Sequence, residues 1–255
     1  MAYLGGKSTC FKHIIEKLNH EDYNGAVYLE PFMGYAHILK RIENKKQIYA
    51  GDSNKLITIL FNGLKRNKLY PKISKKKYND LKNEKKKSFN QAYAAFALSY
   101  GGKEWGGYTP LNLKHNRNYE LERQNYYESL KKNKSFKKSV IKNLSYDEWS
   151  PKNLLIYCDP PYENTTSYGK SCNLNYDLFW DTMREWSNEN IVYISEYNAP
   201  EDFVEVSNAE KFTTISGVGS IDKRLEKLFQ YKNKPSKMID LTKPKLIVKK
   251  KLKKK

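Results

Sequence analysis

The chain has 255 residues, three cysteines and a formal net charge of +19, long enough for one large or two small domains with a real core. Cys10, Cys158 and Cys172 are odd in number and lack metal-ligand spacing, and the four histidines form no paired spacing. This excludes a disulfide scaffold or a zinc or di-metal centre and predicts free thiols in a reducing cytoplasm. No stretch is long and apolar enough to span a bilayer, and Lys7, Lys12 and His13 interrupt the first apolar run where a secretory leader would need continuity.

In chain order, the first motif is Tyr3-Leu4-Gly5-Gly6-Lys7. Gly6-Lys7-Ser8 has the look of the end of a phosphate-binding P-loop, but that motif needs a glycine where Met1 stands and a strand before it. Val27-Tyr28-Leu29-Glu30 reads as a short strand. Pro31-Phe32-Met33-Gly34-Tyr35-Ala36 follows as a tight turn, and His37 to Ile42 has a helical pattern. Strand, turn and helix in this order bring a ligand close to backbone, and Gly34 permits the approach. A second strand over 47–51 ends in Asp52, the place from which an acid commonly takes ribose hydroxyls. Ser53 is the expected N-cap of a helix over 54–64.

Farther on, 91–100 reads as an apolar, alanine-rich helix. The loop Gly101-Gly102-Lys103-Glu104-Trp105-Gly106-Gly107-Tyr108 is expected to be a mobile loop or hairpin rather than core. Around it, Tyr100, Lys103, Trp105, Tyr108, Lys114 and Arg117 interleave aromatics with bases, a texture of nucleic-acid surfaces, although an ordinary surface loop has nearly equal claim. The apolar run Leu154 to Cys158 stops at Asp159-Pro160-Pro161-Tyr162. An acid, two rigid units and an aromatic face at the carboxyl end of a buried strand suit a flat, polar, amino-bearing ring. A helix is expected over 177–189 and a strand over 191–195, while the periodicity of 224–231 fits strand or helix.

Taken together, Tyr3 to Lys7, Glu30 to Gly34, Asp52 with Leu56-Ile57, and Asp159 to Tyr162 resemble the ordered motifs of Dam-type (D12 class) DNA adenine-N6 methyltransferases, from about Tyr3 to about Tyr231. Ala36 stands where many members carry a further glycine. The resemblance implies a doubly wound, mostly parallel seven-stranded α/β sheet that binds S-adenosylmethionine, with a helical insert that reads double-stranded DNA, and it favours a strand at 224–231. It implies that Tyr3, Lys7, Glu30, Pro31, Phe32, Gly34, Asp52 and Asp159 line the cofactor site, that Asp159, Pro160, Pro161 and Tyr162 form the catalytic motif, and that no metal takes part. A cognate restriction endonuclease is a possible companion. An N4-cytosine DNA methyltransferase, an RNA adenine methyltransferase and a non-catalytic DNA-binding protein stay open as alternatives.

The charge is unevenly placed. Residues 62–150 carry a net +13, residues 241–255 a net +8, and the rest a net −2. A solvated charged surface is the ordinary reading of a lysine run, but this partition follows the domain division and favours a polyanion partner. The expected organisation is a catalytic domain over 1–61 and 151–240, a helical target-recognition insert over 62–150 with Lys103, Trp105, Tyr108, Lys114 and Arg117 toward DNA, and a disordered basic tail over 241–255.

Overall fold

The computed structural model describes residues 11–112, 116–162, 174–214, 221–233 and 238–249. In chain order, α1 (Lys12–Leu18) leads to β1 (Val27–Glu30) and β2 (Gln47–Gly51). There follow α2 (Lys55–Lys65), α3 (Lys75–Asn83), α4 (Phe89–Ala97), the two-residue strands β3 (Leu111–Asn112) and β4 (Arg117–Asn118), α5 (Tyr119–Lys132) and α6 (Lys134–Lys138). The chain then returns as β5 (Val140–Lys142), β6 (Trp149–Lys152) and β7 (Leu155–Cys158), continues through α7 (Tyr176–Ser187), β8 (Ile191–Glu196), β9 (Phe203–Thr214) and β10 (Ile221–Tyr231), and ends in β11 (Lys245–Val248).

Seven strands form one sheet in the order β5-β2-β1-β7-β8-β10-β9. The pairs from β5 to β8 are parallel, while β10 is antiparallel to both β8 and β9. This is the expected doubly wound, mostly parallel α/β sheet, and 224–231 is strand. From β1 the chain steps outward through β2 to β5, then β7 starts again on the other side of β1. The switch point therefore lies between β1 and β7, where such sheets open a crevice at their carboxyl ends.

Alternation along the strands builds a core on each face. Tyr28, Ile48, Ala50, Leu155 and Tyr157 join a cluster with α1, α2, α4 and α5. Val27, Leu29, Ile156, Cys158 and Ile194 join a second cluster with Phe179 and Met183 of α7 and with Trp149. The helix expected over 54–64 is α2, but its cap is Asn54, whose side chain accepts the Leu56 and Ile57 N–H groups at 2.9 and 3.5 Å. Asparagine caps as well as serine, and here it stands directly before the helix.

Three further expectations are corrected. The helical pattern after Gly34 yields only a 3-10 turn over Leu39–Arg41. Gly34 and Ala36 sit at φ +46° and +57°, so no continuous right-handed run forms there. Within the tail over 241–255 expected to be disordered, β11 (Lys245–Val248) pairs antiparallel with β6. Leu246 and Val248 alternate with Lys245 and Ile247 and rest on the second cluster, so burial on one face offsets the lysines on the other. Residues 250–255 lie outside the described ones. Finally, the range 62–150 is not wholly insert: it finishes α2 and contains β5, the edge strand beside β2.

Candidate functional site

The parallel registers pair Glu30 with Ala50 and Leu29 with Ile156. Asp52 directly follows β2 and Asp159 directly follows β7, the two strands that flank β1, so both acids stand at carboxyl ends on either side of the chain leaving β1. The sequence-predicted acids therefore converge on the switch point.

Asp52 is held from two sides. Its Oδ2 accepts the Gly34 N–H at 3.0 Å and its Oδ1 accepts the Asn54 N–H at 2.8 Å. Met33 N–H donates to the Gly51 carbonyl at 2.8 Å, which fastens the same loop to the end of β2. Burial raises the Asp52 carboxyl to about 6, the Asn54 and Gly34 N–H groups oppose this, and the charge of Glu104 adds to it. A carboxylate offers about four acceptor positions, so the two backbone donors leave capacity for hydroxyl donors. The arrangement fits a ribose, and Asp52 and Gly34 are the residues that would hold it.

Glu30 is 2% exposed, and Tyr28 donates its hydroxyl to Glu30 Oε2 at 2.8 Å. Pro31 is buried beside it. Half-buried Phe32 stacks on Tyr146 with ring centres 5.3 Å apart and meets Phe179 edge-on at 5.9 Å. These contacts tie the predicted cofactor loop to the second core cluster. Tyr3 and Lys7 lie outside the described residues.

On the other side of the switch point, β7 is buried throughout, Pro160 is buried, and Asp159, Pro161 and Tyr162 are half-buried. Tyr176, the first residue of α7, donates its hydroxyl to the Pro161 carbonyl at 2.5 Å. The Tyr162 and Tyr197 rings meet edge to face at 4.7 Å. Burial first, and the negative charge of Asp159 second, push the Cys158 thiol well above its usual range. The Tyr157 phenol is pushed up in the same order, and it shares a 2.8 Å hydrogen bond with Ser195. Tyr157 and Cys158 belong to the core clusters on opposite faces of the sheet, and Asp159 follows them half-buried at the strand's carboxyl end.

The insert's predicted residues separate. The 101–108 segment is a hairpin, with a bridge between Ser99 and Tyr108, but it is fastened rather than loose: Trp105 N–H donates to the Ala95 carbonyl at 3.0 Å. Trp105 and Tyr108 both pack edge-on against buried Tyr78, at 5.2 and 5.4 Å, and Tyr108 donates its hydroxyl to the Ile73 carbonyl. Arg117 forms a two-pronged pair with Glu122 at 2.9 and 2.6 Å over the Tyr119 ring. Lys103 is exposed and Tyr100 is 55% exposed. Lys114 lies outside the described residues.

Sequence reading missed Asn54, Glu104, Tyr176 and Tyr197. Glu104 Oε2 accepts the Asn54 side-chain N–H at 2.5 Å, a contact between residues fifty apart that no local pattern announces. Asn143, after β5, donates to the Asp52 and Ser53 carbonyls at 2.9 and 3.0 Å. Among the described residues there is no His, Cys, Asp and Glu cluster able to hold a metal, and no helix long and apolar enough to cross a membrane.

No family model and no curated protein matches the chain. Among solved structures, it is similar to a putative RNA methyltransferase from Pyrococcus horikoshii, at 10% identity over 86% of this chain and 84% of that one, with a TM-score of 0.36. It is also similar to an rRNA methylase from Streptococcus thermophilus, at 7% identity over 86% and 94%, TM-score 0.37. A third is the rRNA methyltransferase aviRa from Streptomyces viridochromogenes, at 10% identity over 82% and 77%, TM-score 0.33.

Proposed function

We propose that this protein is an S-adenosylmethionine-dependent methyltransferase that methylates the N6 amino group of adenine in duplex DNA. The observation that carries the reading is the placement at the switch point: Asp52 and Asp159 follow the carboxyl ends of β2 and β7, the strands on either side of β1, and Asp52 accepts the Gly34 N–H of the loop between them. Asp52 suits a ribose. Asp159-Pro160-Pro161-Tyr162 suits an aminopurine. S-adenosylmethionine, held by Asp52 and the Gly34 loop, supplies an electrophilic methyl group.

The chain's own part is positioning and electrostatics. The adenine amino nitrogen is a poor nucleophile because its lone pair is delocalised into the ring. Asp159 and the Pro160 carbonyl accept its two N–H bonds, draw the nitrogen toward tetrahedral geometry and free the lone pair. The Tyr162 ring stacks on the base, and its edge contact with Tyr197 holds that ring in place. A base inside a duplex cannot reach these groups, so the target leaves the stack. The net +13 over residues 62–150 supports a polyanionic partner on the insert side.

The test is transfer of labelled methyl groups to duplex DNA, single-stranded DNA and structured RNA in parallel, followed by nucleoside analysis. N6-methyladenine in duplex DNA is the expected product. N4-methylcytosine overturns the base assignment, label in RNA alone overturns the choice of DNA, and no transfer to any of the three overturns the reading.

A further inference from the structure

We infer that Glu104 is a positioning residue for the cofactor site, tying the 101–108 loop of the insert to Asp52 through Asn54. The link is continuous. Glu104 accepts the Asn54 side-chain N–H at 2.5 Å, and the Asn54 backbone N–H donates to Asp52 Oδ1 at 2.8 Å. Asn54 also caps α2, so its place is fixed from two directions. The loop is fixed in turn by Trp105, whose N–H reaches the Ala95 carbonyl at the end of α4. Asp52 is therefore set in part by a residue from the element that presents Tyr100 and Lys103 to solvent.

The same arrangement places a second acid near Asp52. Of the charged groups on the surrounding elements, Lys55 of α2, Lys142 of β5 and Lys103 of the loop are exposed, and Glu104 is the one whose charge raises the Asp52 carboxyl. Glu104 thus acts on Asp52 by geometry and by charge. The two actions separate experimentally, because glutamine keeps an acceptor for Asn54 and loses the charge.

The inference rests on Asp52 holding the cofactor ribose. The experiment is calorimetric titration of S-adenosylmethionine into wild type, Glu104→Ala, Glu104→Gln and Asp52→Ala between pH 5 and 8, with thermal unfolding of each. At pH 8, Glu104→Ala should bind roughly tenfold more weakly than wild type, and Glu104→Gln should restore the affinity. In Glu104→Gln the midpoint of the pH dependence should move to lower pH, a change that a merely structural role does not produce. Glu104→Ala within about twofold of wild type at pH 8, or an unmoved midpoint in Glu104→Gln, overturns the role of Glu104 alone. A wild type that binds no S-adenosylmethionine, or an Asp52→Ala variant that binds as wild type does, overturns the cofactor reading and this inference with it.

Discussion

Asp52 accepts the Gly34 N–H at 3.0 Å, and this bond joins the end of β2 to the loop that leaves β1. The carboxylate therefore does two things: it shapes the loop and it keeps acceptor capacity toward the crevice. Asp52→Ala should weaken S-adenosylmethionine binding by roughly 1–3 kcal/mol. Asp52→Asn should also weaken it, because Gly34 and Asn54 donate to different oxygens and an amide offers only one. Unchanged affinity of Asp52→Asn in a calorimetric titration would contradict this account.

The pH dependence follows from the same group. The free Asp52 carboxyl titrates at about 6, chiefly because it is buried. Ribose hydroxyls donate to the ionised form, so cofactor affinity should rise with pH through about 6 and level off above it. Stability runs the other way. A carboxyl raised in the native state favours folding fully below its unfolded value, and that contribution is lost as pH rises through about 6. Replacing Asp52 by alanine should remove both dependences. Urea titrations at pH 4 to 8 that show the same slope in the variant as in wild type would place the shift elsewhere.

Asp159 should behave differently. Its acceptor role is strongest as the amino nitrogen becomes tetrahedral, so the loss falls on the transition state. Asp159→Ala should lower single-turnover methyl transfer by orders of magnitude while leaving DNA affinity near wild type. Near-normal turnover sinks the assignment.

How far the sequence could be read depends on the range of the interactions. The strand ends were legible because short apolar runs stop at an acid or a proline, as at Glu30-Pro31 and Asp159-Pro160, and a period of two needs no distant partner. The segment after the turn resists sequence reading because the His37 to Ile42 pattern fits a 3-10 turn as well as a helix, and only the backbone shows the positive φ of Gly34 and Ala36 before it. The β11 strand was hidden by its lysines: Leu246 and Val248 alternate, but composition alone read the tail as solvated. The Trp105 and Tyr108 rings looked available because their partner, Tyr78, lies more than twenty residues earlier in the chain.

Ala36 offers a direct check on the loop. It is fully buried at φ +57°, a region where a methyl is tolerated and a branched side chain is not. Ala36→Gly should change stability by less than about 1 kcal/mol, since relief of strain offsets the lost methyl and the freer unfolded chain. Ala36→Val should cost about 2 kcal/mol or more. Denaturant midpoints of the two variants decide it, and equal midpoints would mean that the loop lacks the backbone described.

If the proposed reading holds, the basic tail and the insert loop should make separable contributions to DNA binding. Because Lys245–Val248 is a strand, deleting 243–255 removes sheet pairing as well as charge and should lower stability. Deleting 250–255 removes five lysines and spares the strand. Every lysine–phosphate pairing that the deletion abolishes should reduce the slope of log affinity against log salt by roughly 0.9, equally for target and nontarget DNA. Lys103→Ala removes an exposed group beside Glu104 and should alter the ratio between target and nontarget DNA at unchanged stability, and Tyr100→Ala should alter the same ratio at the small cost of its edge contact with Tyr119. Trp105→Ala should instead destabilise the fold, since its ring packs on Tyr78. Binding curves at several salt concentrations on both DNA types, with thermal unfolding of each variant, separate these effects. If the 250–255 deletion changes sequence preference while Lys103→Ala and Tyr100→Ala do not, the 101–108 loop is a structural strap and the target is read from another face of the insert.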